Sequence, residues 1–392
     1  MNSRLRSLLS WSLAVGAWTL FHVAPSACGA AGPDVTWLAD VQREPVKPAV
    51  FDVGPLSPLL TDENGKPIRD LDGWKVRREK LRAEWMAFLG PMPATPDNVQ
   101  FTVLKDDSLP DCSRQLIRYE CEEGLFVEAY LLRSTDPKFA GADPASASAA
   151  RLRPGIVALH QTTKNTIDET AGLSGPEPLQ LGLKLARRGF VVICPRCFLW
   201  QDVASLPAAV EQFRKRHPQT LGMHKMLYDA RRAVDILAAQ PGVDPNRLGA
   251  VGHSLGAKEV LYLAAFDERI RAAVASEGGL ALKSTNWDAA WYLGAKFREA
   301  DFPRNHHELL ALTAPRALLI LGGESGPGAA DGDRSWPLID AALPVYRLFG
   351  GPPRLGLLNH HQGHSIPPES FERIAEWLDV CTSAPTKPSP KE

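Results

Sequence analysis

Ser254 stands inside Gly252-His253-Ser254-Leu255-Gly256, with the apolar stretch Leu248 to Val251 before it and the apolar run Ala257 to Phe266 after it. A serine framed as Gly-x-Ser-x-Gly at a strand-to-helix junction sits on a sharp, strained corner that pushes its hydroxyl clear of the sheet. Glycine is needed there because a side chain would collide with the crowded backbone of the turn. A serine hydroxyl is a weak nucleophile until a base removes its proton. The pattern therefore calls for a histidine, an acid and an oxyanion site elsewhere in the chain.

Gly363-His364-Ser365 supplies the histidine, in the loop after the last strand and before the final helix, at the end of the sheet where Ser254 emerges. His360 and His361 are competing neighbours, and His360 with His364 is a competing metal pair; a serine mechanism needs no metal, and no metal or other cofactor is expected. The acid is expected after the strand Arg316 to Leu321, where the loop Gly322 to Pro337 carries Glu324, Asp331 and Asp333. Asp333 is the first choice, with Asp331 and Glu324 as alternatives. The developing oxyanion requires preset N–H donors. The amide of Leu255 is one, and the amide of Gln161 or Thr162, after the strand Gly155 to His160, is the other. His160 itself reads as a packed or loop-positioning residue.

The elements that must hold these groups follow from periodicity. After Asp72, Trp74, Leu81, Trp85 and Phe88 recur at helical spacing until Gly90-Pro91. Strands are expected over Val99 to Leu104, Gln115 to Glu120 and Leu125 to Arg133, antiparallel because the connections are short. From Gly155 onward apolar strands alternate with helices, at Phe190 to Cys194, Leu248 to Val251, Ile270 to Ser276, Arg316 to Leu321 and Arg354 to Leu358. Such repetition implies a mostly parallel, doubly wound α/β sheet with antiparallel N-terminal strands. The irregular stretch Leu280 to Asn305 is placed to cover the site. Its Trp287, Trp291 and Tyr292 could stack on a sugar ring or form the cover's own small core.

A formal net charge of -1 over 392 residues excludes recruitment of nucleic acid or acidic membrane through bulk charge, and favours a small or uncharged substrate. Residues 1–30 are laid out as a secretory signal: Arg4 and Arg6, an apolar run from Leu8 to Ala24, then small residues through Ala30. The chain is thus expected to be exported, periplasmic or extracellular, without stable membrane association once the signal is removed. Residues 31–71 read as a surface-wrapping segment, 72–381 as the catalytic domain and 382–392 as a disordered tail. Of six cysteines, Cys112 with Cys121 or Cys194 with Cys197 are the candidate disulfide pairs.

Taken together, Trp74 with Gly90-Pro91, Leu159-His160-Gln161-Thr162-Thr163, Asp229 through Asp235, Gly252 through Gly256, Ala314-Pro315-Arg316 and Gly363-His364 resemble the α/β-hydrolase superfamily, in its dienelactone hydrolase and acetyl xylan esterase-like branch. The resemblance covers roughly Asp72 to Val380. It implies an α/β-hydrolase fold, a Ser-His-Asp triad, no metal, and hydrolysis of carboxylic esters by an exported serine esterase, with carbohydrate esters such as acetyl xylan preferred. The long Gly/Ala-rich acid loop departs from the compact Gly-x-x-Asp of relatives. A peptidase on the same fold and a non-catalytic binding protein are the alternatives.

Overall fold

The computed structural model describes residues 34–46, 51–139, 152–299 and 302–383, all in one unit spanning Gly32–Glu392. The expected signal segment, 1–30, and nearly all of the expected tail lie outside the described residues. No helix among the described residues is long and apolar enough to cross a membrane.

Nine strands, β1 (Phe101–Asp106), β2 (Cys112–Glu122), β3 (Leu125–Ser134), β4 (Arg153–Leu159), β5 (Val191–Pro195), β6 (Val243–His253), β7 (Ile270–Ser276), β8 (Ala317–Gly322) and β9 (Leu355–Asn359), form one sheet. Their order is β1-β2-β3-β5-β4-β6-β7-β8-β9. The first three pair antiparallel, β3 meets β5 antiparallel, and every pairing from β5 to β9 is parallel. This is the mostly parallel, doubly wound sheet expected from the alternation of apolar runs, and the α/β-hydrolase architecture that the resemblance implies. β4, β5, β7 and β8 are almost wholly buried along their length, and β6 is buried from Leu248 onward, as strands covered on both faces must be.

The helices are α1 (Leu38–Val41), α2 (Leu71–Leu89), α3 (Ile167–Thr170), α4 (Leu181–Arg187), α5 (Leu206–Arg216), α6 (Gly222–Ala238), α7 (Leu255–Phe266), α8 (His307–Thr313), α9 (Trp336–Arg347) and α10 (Pro368–Ser383). One core joins α2, α5, α6, α7, α8 and α9 to one face of the sheet, through Trp85, Phe213, Leu227, Val260, Leu309 and Leu338. The second joins α1, α3, α4 and α10 to the other face, through Leu38, Ile167, Leu183, Phe371 and Leu378. Val157 and Leu159 belong to the first core and Ile156 and Ala158 to the second, the two-residue alternation of a strand between layers.

Helix α2 starts because Asp70 accepts the Gly73 amide at 2.8 Å and stops at Gly90, whose φ of 86° only glycine adopts at no cost. A Cβ at Gly90 would also lie 2.1 Å from the Gln219 carbonyl, so the helix end fits tightly against the lead into α6. Two helices escape the periodicity reading. α5 is short, with an exposed cationic face, and α8 follows the irregular cover as a wholly buried seven-residue turn.

The cysteines do not pair. All five described ones are free. Cys112 and Cys121 sit at opposite ends of β2, about 30 Å apart at strand rise, and a disulfide needs Cα atoms within about 7 Å. Cys194 lies in one core and Cys197 in the other, so the sheet separates them.

Candidate active site

Ser254 forms the junction of β6 and α7, at φ 57° and ψ -113°, a left-handed conformation that costs energy for a residue with a Cβ. Neighbouring backbone leaves little freedom. A Cβ at Gly252 would come within 2.4 Å of the Gly256 carbonyl, and one at Gly256 within 2.1 Å of the Leu159 oxygen. Helix α7 therefore presses its first turn directly on the end of β4. The Ser254 amide is tied back to the Ser276 carbonyl of β7 at 2.8 Å.

The same contact brings the loop after β4 beside the elbow. His160 is buried; its Nε2 accepts the Cys197 amide at 3.1 Å and its Nδ1 lies 2.7 Å from the Gln161 carbonyl oxygen. With one nitrogen accepting, the other carries the proton and donates to that carbonyl. Burial holds its pKa down at about 4, so it stays neutral and fixes the course of the loop, the positioning role read from the sequence. The Gln161 carboxamide donates to Glu169 at 2.9 Å. Thr162 reaches the Tyr292 hydroxyl in the cover. Leu255 occupies the first helical position of α7, where amides have no carbonyl four residues back.

His364 lies between β9 and α10. Its ring packs on that of His253, the residue before Ser254, with centroids 4.6 Å apart. His253 is buried and its Nδ1 faces Ser276 Oγ at 3.1 Å. Burial, reinforced by repulsion from His364, pushes its pKa down to about 3, so His253 does not compete for a proton.

The loop carboxylates expected to serve His364 do not form an ion pair with it. Asp333 accepts from Asn359 Nδ2 at 2.7 Å and adjoins Glu324. Glu324 faces His361 Nδ1 at 3.0 Å and accepts from Asn359 Nδ2 at 3.0 Å. Asp331 is buried, but its oxygens take the amides of Gly279 and Leu280, at 2.9 and 2.7 Å, and the Ser335 hydroxyl at 2.7 Å. It anchors the start of the cover.

The carboxylate beside His364 is Glu277, the first residue after β7, at φ 57° and 1% exposed. Its Oε2 lies 3.8 Å from His364 Nδ1, and its Oε1 lies 3.5 Å from His360 Nε2. The amides of Gly323 and Ala330 donate to the same carboxylate, Ala330 at 2.8 Å. Burial alone would push this carboxyl up. The two imidazoles and two amides outweigh it and hold the pKa at about 2, so Glu277 is ionised throughout the working range.

Sequence reasoning sought a carboxylate for the histidine after β8, and so did not single out Ser276-Glu277-Gly278-Gly279. A carboxylate closing a buried strand next to the nucleophile strand, followed by two glycines, was the available signal. The Gly/Ala-rich loop expected to hold the acid is instead a cradle for the histidine loop. A Cβ at Gly323 would overlap the Gln362 carbonyl at 1.7 Å, and one at Gly328 would meet the His364 Cβ at 3.1 Å.

In the stretch expected to cover the site, Trp287 and Tyr292 are buried and pack on each other at 5.6 Å, and Trp287 also packs on His306 at 4.4 Å. They are the cover's own core. Lys258 of α7 is buried beneath them, its ammonium 3.9 Å from the Trp287 ring centre and bonded to the Gly278 carbonyl and Thr285 hydroxyl. Burial lowers its pKa to about 7. Trp291 differs: half-buried, it lines a groove of about 500 Å³ with Ala290 and, from α5, Pro207, Val210, Glu211, Arg214 and Lys215.

A strained serine elbow at the carboxyl edge of a parallel sheet, a histidine loop after the last strand and a carboxylate behind that histidine define the chain as an α/β-hydrolase in fold. The model of the dienelactone hydrolase family matches residues 163–290, which include the elbow and Glu277. Among solved structures, the glucuronoyl esterase from Solibacter usitatus superimposes with a TM-score of 0.65 at 18% identity, covering 86% of this chain and 99% of that one. A promiscuous CE15 esterase from a marine bacterial metagenome gives 0.63 at 15% identity, covering 83% and 97%. The CE15 glucuronoyl esterase from Caldicellulosiruptor kristjansonii gives 0.59 at 20%, covering 86% and 95%. Dipeptidyl-peptidase 5 of Porphyromonas gingivalis is 29% identical over 124 residues, which span 30% of this chain and 17% of that peptidase.

Proposed function

We propose that this chain is an exported serine esterase that cleaves carboxylic esters of carbohydrates through an acyl-enzyme, with Ser254 as nucleophile, His364 as base and Glu277 as the acid. The observation that carries this reading is the continuous set Glu277, His364, His253 and Ser254: a carboxylate held ionised behind an imidazole that packs on the residue preceding a strained serine.

In this scheme Ser254 Oγ attacks the ester carbonyl while His364 Nε2 takes its proton. Glu277 holds Nδ1–H and stabilises the imidazolium; it does not itself become protonated. The amide of Leu255, with that of Gln161 or Thr162, receives the oxyanion. His364 then protonates the leaving alcohol and activates water against the acyl-enzyme. The neutral state of His253 keeps a second positive charge away from the imidazolium.

A carbohydrate alcohol or acid is favoured by the exposed part of Trp291, which offers a flat apolar face beside cationic side chains, and by what the structural neighbours are named for. Uronate methyl esters and acetylated xylo-oligosaccharides are therefore the first substrates to assay. Export rests on the basic, apolar and small-residue order of residues 1–30, and N-terminal sequencing of the secreted chain tests it.

The primary test is fluorophosphonate labelling of the folded chain, read by intact mass, beside Ser254→Ala and His364→Ala. Near-stoichiometric labelling that both variants lose supports the assignment; a folded wild type that stays unlabelled removes it. The segment shared with dipeptidyl-peptidase 5 favours a second reading, amide hydrolysis by the same triad. Turnover of dipeptidyl anilides in preference to sugar esters would select it.

A further inference from the structure

The Glu277 carboxylate has two imidazoles on it, and the proposed reaction uses one. His360 lies at the end of β9, its amide donating to the Gly322 carbonyl at 3.0 Å, so the backbone that carries it continues the β8 to β9 pairing. Its side chain is 3% exposed, against 26% for that of His364, and it lies behind the carboxylate, away from solvent. The Gln362 amide donates to His360 Nδ1 at 3.2 Å. A neutral imidazole with Nδ1 accepting must carry its hydrogen on Nε2. Nε2 lies 3.5 Å from Glu277 Oε1, a contact slightly too open to be a closed hydrogen bond, and has no hydrogen-bond partner elsewhere among the described residues.

The two carboxylate oxygens are therefore divided. Oε1 is held by the Gly323 amide and faces His360; Oε2 is held by the Ala330 amide, with the Asp331 amide at 3.4 Å, and faces His364. A carboxylate gripped through one oxygen cannot rotate the other away from its imidazole. Loop packing reinforces this, because a Cβ on Gly323 would stand 2.8 Å from His360 Cε1.

We infer that His360 is a positioning residue for the triad: its Nε2–H pins Glu277 Oε1, which fixes Oε2 toward His364 Nδ1 and takes up part of the carboxylate's charge. This inference rests on the esterase reading above. The titratable groups around the pair include His253, neutral against the far side of His364, Asp331, whose own oxygens are occupied by Gly279, Leu280 and Ser335, and Lys258, whose ammonium bonds the Gly278 carbonyl next to Glu277. On the outer loops, Glu324 pairs with His361.

The test uses His360→Leu, which removes the donor, and His360→Gln, whose amide nitrogen can replace Nε2–H. Both are assayed on an activated aryl ester across pH, with thermal melts and the fluorophosphonate labelling rate. His360→Leu is expected to lower kcat by on the order of tenfold to a hundredfold with KM nearly unchanged, the cost of a loosened catalytic geometry. Its acidic limb of kcat/KM should move to higher pH, because the less neutralised carboxylate stabilises the imidazolium more. His360→Gln should recover most of the rate and return the limb. A purely structural role would instead lower the rate of both variants in step with their folded fraction and leave the limb in place, and that overturns the inference, as does wild-type kcat in His360→Leu. If wild type is not labelled, the esterase reading has failed. If wild type is labelled and Glu277→Gln is crippled while His360→Leu is not, only the role given to His360 falls.

Discussion

Glu277 Oε2 lies 3.8 Å from His364 Nδ1, although the two residues are 87 positions apart and sit after different strands, β7 and β9, with β8 between them. The loop after β8 reaches across this gap, giving its Gly323 and Ala330 amides to the carboxylate and its glycines to the histidine loop. Glu277→Gln is expected to lower kcat by about 10³ to 10⁴, the scale seen when a triad acid loses its charge but keeps its shape. Asp333→Asn, which alters the contacts to Asn359 and Glu324 but none to His364, should leave kcat essentially at wild type. Steady-state rates on an aryl acetate decide between the two carboxylates, and the reverse pattern would return the acid to Asp333.

Gly256→Ala tests the elbow from its backbone side. The added methyl would stand 2.1 Å from the Leu159 oxygen and 3.0 Å from the His160 oxygen, and carbonyl backbone at the end of a buried strand cannot turn aside as a side chain can. Either α7 or the loop carrying Gln161 and Thr162 must shift. Overpacking of this kind costs about 1–3 kcal/mol or more. A lowered melting temperature together with a greater loss of kcat than of substrate affinity is the expected pair of results, since the oxyanion amides of Leu255 and Gln161 or Thr162 are moved apart. A variant with wild-type melting and kcat would mean that the two backbones are not in contact.

The order of strands, the elbow and the histidine loop were legible in the chain because each is a local pattern. Apolar runs of five to seven residues announce buried strands, and Gly252 to Gly256 announces a turn that few other sequences tolerate. The carboxylate that faces His364 was not legible because that pairing is a distance relation. Glu324, Asp331 and Asp333 lie in the loop where an acid is ordinarily sought, and nothing local distinguishes a carboxylate spent on Asn359 or on the Gly279 and Leu280 amides from one spent on a histidine. The cover shows the same limit. Trp287, Trp291 and Tyr292 are alike in the sequence, and only packing separates them: Trp287 is enclosed by Tyr262 and His306, Tyr292 is buried against Trp287, and Trp291 is left half-buried.

Glu259 offers a test on stability. It lies on α7 one turn beyond the nucleophile, wholly enclosed, with Oε1 lacking a hydrogen-bond partner and Cys197 beside it. Burial raises its pKa from 4.5 to about 8. The folded state therefore holds a proton that the unfolded chain releases above pH 4.5, and stability falls as pH rises from about 4.5 to about 8, then levels off. At roughly 1.4 kcal/mol per unit, the penalty above pH 8 is on the order of a few kcal/mol. Glu259→Gln keeps the shape and removes the titration. Urea midpoints from pH 5 to 8 should fall for the wild type relative to the variant, and parallel curves would show that Glu259 does not hold its proton.

Trp291 bears on which substrates the chain takes. Helix α5 brings Arg214 and Lys215 to one side of its groove, and the cover holds it there through the amide of Met223, which donates to the Tyr292 carbonyl at 3.1 Å. A Cβ at Gly222 would meet the Trp291 carbonyl at 2.4 Å, so the start of α6 and the cover are fitted to each other. Trp291→Ala removes an edge contact to Tyr292, at 6.0 Å between ring centres, and leaves Trp287 and the proposed triad residues in place. Taking for a sugar on this face the scale of an aromatic pair, about 0.5–1.5 kcal/mol beyond simple burial, the expected change is a few-fold to roughly tenfold in binding. The variant should therefore turn over an aryl acetate at the wild-type rate while KM for an acetylated or uronate-esterified oligosaccharide rises by that factor. Equal KM values on the oligosaccharide would remove Trp291 from the substrate path. A loss on both substrates would mean that the cover itself had come loose, a change visible in the near-ultraviolet circular dichroism of Trp287.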